Sequence, residues 1–129
     1  MKRRRLNDVR LAITHKLQLP EHAVYFRIGL FEDGTPGEVF INLDQDGSGL
    51  GHAYHQIGVL LSMCLQSGWT VEMLHKKFSF VKGVPDGYTG NQFIRFANSI
   101  IDYLVRWMLS DEFKESVCKN KQICSENQS

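Results

Sequence analysis

The segment "FVKGVPDGYTGN", Phe80 to Asn91, sets two aromatic rings, three glycines and an asparagine just ahead of the most regular apolar stripe in the chain. With Arg95 and Arg106 downstream, these residue types suit the capture of an anion. A helix that opens at Asn91 would present backbone N–H groups without internal acceptors, and these, with the helix dipole, favour a phosphate. Asparagine is a preferred cap. Gly87 and Gly90 let a backbone approach a ligand closely. Arg95 and Arg106 offer planar forks of donors to phosphate. Phe80 or Tyr88 can stack on a base, and Asn91 can bond a base or ribose. The opposing reading is structural: a plain helix cap, Phe80 in the core, and Asp102–Arg106 as an i, i+4 surface pair. The fingerprints GxxxxGK[ST] and GxGxxG are both absent, so neither a P-loop nor a dinucleotide motif is predicted.

Other chemistry finds less support in the spacing. His52 and His55 stand three apart on a predicted helix and His75 on the next, without the HExxH arrangement of a helical zinc site. "DQDGSGLG", Asp44 to Gly51, has the aspartates of a calcium loop, but the position that needs glutamate is His55, so it reads as a turn that starts a helix. No metal and no cofactor is expected. There is no GxSxG elbow, Cys64 sits in an apolar helix, and no two carboxylates are placed for acid–base work. The chain is therefore read as a binding protein, not an enzyme. Cys118 and Cys124 fit neither a CxxC pair nor a common zinc pair, and all three cysteines read as reduced thiols of a cytoplasmic protein.

The elements that position these residues follow from periodicity. The chain has 129 residues and a net charge of +1, so no overall field draws it to nucleic acid or membrane. No apolar run reaches the about 18 residues of a membrane span. Lys2, Arg3, Arg4 and Arg5 make residues 1–9 a basic arm, read as solvated and mobile or as a contact for phosphate or a partner. Alternation predicts strands over 10–19, with Ile13, His15 and Leu17 on one face; over 23–31, with Val24, Phe26, Ile28 and Leu30 inward; and over 38–43, with Val39, Ile41 and Leu43 inward. Helical spacing predicts 50–66, with Ala53, Ile57, Leu60, Leu61 and Cys64 inward, then 71–77 behind a Thr70 cap, then 91–109. In the last, Phe93, Phe96, Ala97, Ile100, Ile101, Leu104 and Met108 form the stripe. The fold class is α+β: an antiparallel β-meander with three helices on one face, a two-layer sandwich. One domain spans 10–113, and residues 114–129 read as a disordered polar tail. An exposed sheet edge would favour self-association.

The words "RRLNDVRLAITHKLQL", "GLFEDGTPGEVFINL", "LLSMCLQSGWTVEMLHKKFSFVK" and "PDGYTGNQFIRFANSIIDYLVRWM" resemble the TSCPD-type accessory domain near the C-terminus of adenosylcobalamin-dependent ribonucleotide reductases, from Arg4 to Met108. The catalytic barrel, radical cysteine and cobalamin site of such enzymes have no room here, and Cys118 and Cys124 do not match the spacing of their electron-shuttling cysteines. As a free-standing chain with a basic arm, the protein is also similar to the phage anti-Thoeris sponge family. That resemblance implies a non-catalytic homo-oligomer, a dimer or higher such as a hexamer, in the host cytoplasm. It would sequester a cyclic ADP-ribose-type signal, and for some members cyclic oligonucleotides; Phe80, Tyr88, Gly90, Asn91, Arg95 and Arg106, singled out above by residue type and position, offer the groups such a ligand needs. The alternative is an accessory subunit or detached C-terminal domain of a B12-dependent ribonucleotide reductase. Nucleic acid and membrane are not expected partners.

Overall fold

The computed structural model describes residues 3–44 and 49–127, with side chains of the last helix described to residue 121. Three strands form an antiparallel meander: β1 (Ala12–Gln18), β2 (Ala23–Leu30) and β3 (Pro36–Leu43), in that spatial order. Ile13 pairs with Ile28, His15 with Phe26 and Leu17 with Val24, and across the other seam Phe26 pairs with Ile41. Strict alternation therefore collects Ile13, Leu17, Val24, Phe26, Ile28, Val39, Ile41 and Leu43 on one buried face, as the sequence predicts. Thr14, Lys16, Tyr25 and Arg27 face solvent.

Among the described residues four helices complete the α+β fold: α1 (Gly49–Gln66), α2 (Val71–Phe78), α3 (Ile100–Met108) and α4 (Asp111–Asn127). Helix α1 lies along β3. Gly58 makes this possible, because a Cβ there would stand 2.9 Å from the Val39 carbonyl oxygen. Ser62 Oγ accepts from the Val39 N–H at 2.8 Å, and Gln66 Nε2 donates to the Gly37 carbonyl at 2.9 Å. Helix α1 thus satisfies β3 backbone groups that an open edge would offer to another chain. Leu61 is buried and Ile57 and Cys64 pack against the core as predicted, but the seating rotates Ala53 and Leu60 out of it. Tyr54, Gly58, Leu61 and Leu65 are buried, while Ala53, Leu60, Val59 and Met63 are exposed. Thr70 caps α2 as predicted, its hydroxyl accepting from Met73 N.

The predicted third helix is corrected at its start. Residues 91–99 are not helical. Phe96–Ala97 forms a short strand, β5, paired with Gly87–Tyr88, β4. Helix α3 begins only after Ser99, whose hydroxyl accepts from Asp102 N at 3.0 Å. The apolar positions suit both periods, and the cross-strand contact of Tyr88 with Phe96, ring centroids 5.0 Å apart, belongs to the hairpin. Phe93, expected in the core, is 78% exposed, while Ile94 is buried.

Both ends of the chain are also corrected. Residues 3–10 are tied to the body: Arg3 Nε donates to Gln66 Oε1, the Arg4 guanidinium lies 3.8 Å from the Phe31 ring centre, and Arg10 pairs with Glu38. In place of a disordered tail from 114, α4 continues through Asn127, with Phe113 buried and Lys121 Nζ donating to the Asp33 carbonyl at 2.7 Å. The predicted turn at Asp44 to Gly51 falls largely on residues 45–48, and the tail position Cys124 also falls outside the described side chains.

Candidate functional site

Asp102 stands in the first turn of α3, wholly buried, and organises the surface above it. Arg106, one turn on, grips it with two donors: Nε to Oδ1 at 3.0 Å and NH2 to Oδ2 at 2.7 Å. The same carboxylate accepts from Phe80 N at 2.5 Å and Asn98 N at 2.9 Å. Burial alone would raise the Asp102 pKa, but the bonds from Arg106, Phe80 and Asn98 outweigh it and leave the carboxyl below its ordinary value. The ion pair is a structural staple that joins α3 to the loop after α2 and to β5.

The staple displays aromatic side chains. Phe80 has a φ of +63°, a left-handed conformation that a residue with a Cβ adopts at a cost of about 1–2 kcal/mol. Its N–H bond to Asp102 holds it there, and its ring lies 4.8 Å from the Arg106 guanidinium. Arg106 also donates to the Phe96 carbonyl, and Tyr88 meets the Phe96 ring edge-on. Phe80 is 63% and Tyr88 74% exposed. The Tyr88–Phe96 pair and Phe80, joined through Arg106, have the aromatic and arginine composition of contact hot spots.

A polar cleft of about 450 Å³ includes Gly90, Asn91, His15, Tyr103 and Glu112 in its walls. Asn91 Nδ2 donates to the Tyr103 hydroxyl at 3.2 Å, and that hydroxyl shares a 2.7 Å hydrogen bond with His15 Nε2 whose donor depends on the His15 tautomer. His15 Nδ1 lies 3.8 Å from Glu112 Oε1. Burial lowers the His15 pKa, with Glu112 opposing, and burial raises that of Tyr103, with Asn91 opposing. A phenol that keeps its proton beside a weakened imidazole base suits hydrogen bonding rather than proton abstraction. The alternation in "ITHK" marked His15 as inward-facing, and nothing local marked Tyr103 as its partner.

The six expected ligand residues are thus divided. Phe80, Tyr88 and Arg106 share the aromatic surface, Gly90 and Asn91 belong to the cleft, and Arg95 lies outside both, its Nε on the Gln92 carbonyl at 3.4 Å. Asn91 caps a turn, accepting from Phe93 N at 2.8 Å and Ile94 N at 3.3 Å, rather than opening a long helix. Gly87 is needed for packing, because a Cβ there would stand 2.7 Å from Pro20 Cδ. Among the described residues no group of three or more His, Cys, Asp or Glu could hold a metal ion, and no helix is long and apolar enough to cross a membrane.

Residues 2–111 match the TSCPD domain family. The chain is 40% identical over 107 residues to the vitamin B12-dependent ribonucleotide reductase of Rhodopirellula baltica, a stretch that covers 83% of this chain and 10% of that protein. It is 33% identical over 105 residues to the protein of that name from Bradyrhizobium diazoefficiens and 35% over 105 residues to that of Agrobacterium fabrum, in each case 81% of this chain and 8% of the relative. The matched stretch thus spans about a tenth of these relatives. No solved structure matches the chain. These similarities correct the expectation of a cyclic-nucleotide sponge. The proteins that resemble this chain are named as reductases, and the open helix tip on which phosphate capture depended is a capped turn with Arg106 committed to Asp102.

Proposed function

The chain belongs to the TSCPD domain family, and from that premise we propose that it serves a vitamin B12-dependent ribonucleotide reductase as an accessory contact domain without catalysis of its own. The observation that carries this reading is the proportion of the match: nearly all of this domain corresponds to about a tenth of a reductase relative. Such a segment works beside a much larger body. The exposed Phe80–Phe96–Tyr88 surface, held rigid by the buried Asp102–Arg106 pair, supplies the contact. A rigid aromatic anchor loses little conformational entropy on docking, which favours affinity.

The test mixes this chain with the Rhodopirellula baltica reductase, intact and with its matching segment removed, and reads mass and stoichiometry by native mass spectrometry. Association with the shortened reductase, and its loss in Phe80→Ala, is the expected result. Absence of association with either form sinks the proposal. The same spectra report whether this chain assembles with itself.

A further inference from the structure

We propose that the free edge of β1 docks an extended peptide segment of alternating charge, which adds a fourth strand to the sheet. The site shares no residue with the Phe80 surface and does not depend on the reductase reading. The strand order β1-β2-β3 makes β1 and β3 the two edges of the sheet. Helix α1 occupies the β3 edge through Ser62, whereas nothing equivalent bonds the β1 edge among the described residues. Two flanking bonds fix which groups face which way: Leu30 N donates to the Leu11 carbonyl at 2.9 Å, and Leu19 N to the His22 carbonyl at 2.8 Å. With the pairing register, they assign Ile13, His15 and Leu17 to the ladder with β2. Ala12, Thr14, Lys16 and Gln18 therefore turn their N–H and C=O groups outward, and these have no partner among the described residues.

This edge borders the polar cleft of about 450 Å³, with Lys16, Leu17 and Gln18 on one side and Thr89 to Phe93 on the other. A Cβ at Gly90 would meet nothing within 4 Å, so the far wall stands clear there. An added strand sits about 4.8 Å from its neighbour. Its main chain supplies affinity and its alternate side chains supply specificity. The charges select those side chains. Lys16 lies on the solvent face over the Tyr25 ring, with no carboxylate in ion-pair reach among the described residues. Glu112 lines the cleft, and its 3.8 Å approach to His15 is too long for a hydrogen bond. Burial lowers the His15 pKa, so at pH 7 the imidazole is neutral and leaves Glu112 uncompensated. A strand alternates its side chains between faces. A basic residue turned in to Glu112, flanked by acidic residues turned out to Lys16, meets both charges. A second copy fits less well. Its β1, "AITHKLQ", holds no carboxylate for Lys16, and it would bring its own 89–93 loop to the same cleft.

The test is amide hydrogen exchange, read by NMR on the full chain with short capped peptides. Alone, the amides of Thr14 and Lys16 should exchange about tenfold faster than those of Ile13 and His15. A peptide with a central arginine flanked by glutamates should slow Thr14 and Lys16 about threefold or more. The charge-reversed peptide should bind about fivefold more weakly, and Lys16→Glu combined with Glu112→Lys should invert that preference. Thr14→Pro removes an N–H that the β1–β2 ladder does not use. It should abolish the protection of Lys16 while the amides of β2 keep their rates. Unchanged exchange at Thr14 and Lys16 with both peptides overturns the docking site. Equal binding of the two peptides, before and after the charge swap, overturns the proposed occupant. Protection of the same amides that grows with protein concentration alone assigns the edge to a second copy and overturns it too.

Discussion

Asp102 and Arg106 carry the residue-scale argument. Spacing alone leaves Arg106 either free for a phosphate or in an i, i+4 surface pair with Asp102. Burial of the carboxylate converts the pair into a staple whose rupture leaves an uncompensated charge in the interior. Arg106→Ala is expected to destabilise the domain by about 3 kcal/mol, whereas Arg95→Ala should stay within about 0.5 kcal/mol. Urea denaturation of the two variants checks the contrast, and equal effects would contradict it. His15 gives a pH signature. Its pKa is lower in the folded state, so below the unfolded value of about 6.5 the unfolded chain binds more protons and stability falls as pH drops. The midpoint of urea unfolding should decline from pH 7 to pH 5, and His15→Phe should flatten that slope.

Secondary-structure elements are legible in the sequence where one period dominates and ambiguous where two compete. The strands follow a strict alternation, so their faces were legible residue by residue. In 91–99 the same apolar residues fit a helix and a hairpin, and Ser99 fixes the helix start as firmly as Asn91 could have done. Ser99→Ala is expected to cost about 1 kcal/mol through loss of the α3 cap, measured by thermal unfolding. Helix α1 shows a different limit: its type and length were legible but its rotation only in part, because Gly58 and Ser62 seat it against the β3 backbone. Gly58→Ala pushes a methyl group against the Val39 carbonyl and should cost about 1–3 kcal/mol, with β3 amides exchanging faster. An unchanged stability would mean that α1 shifts freely along the edge.

At the scale of the whole molecule, a small α+β domain carries an aromatic surface on one hairpin and an open strand edge beside a polar cleft. Both features suit a domain that works against a larger protein, as the proportion of the family match implies. Phe80→Ala should leave the unfolding midpoint nearly unchanged while it removes reductase association, since the ring is exposed and the staple beneath it uses the backbone N–H. The sequence by itself determined the meander, its buried face, the lengths of α1 and α2, and the family, because these rest on local period and on words of matching residues. Only the tertiary structure decided that Arg106 is spent on Asp102, that Tyr103 is bonded to His15 from 88 positions away, and that the β1 edge borders a cleft. Those facts depend on which side chains burial brings together, and burial is a property of the packed chain that no local spacing encodes.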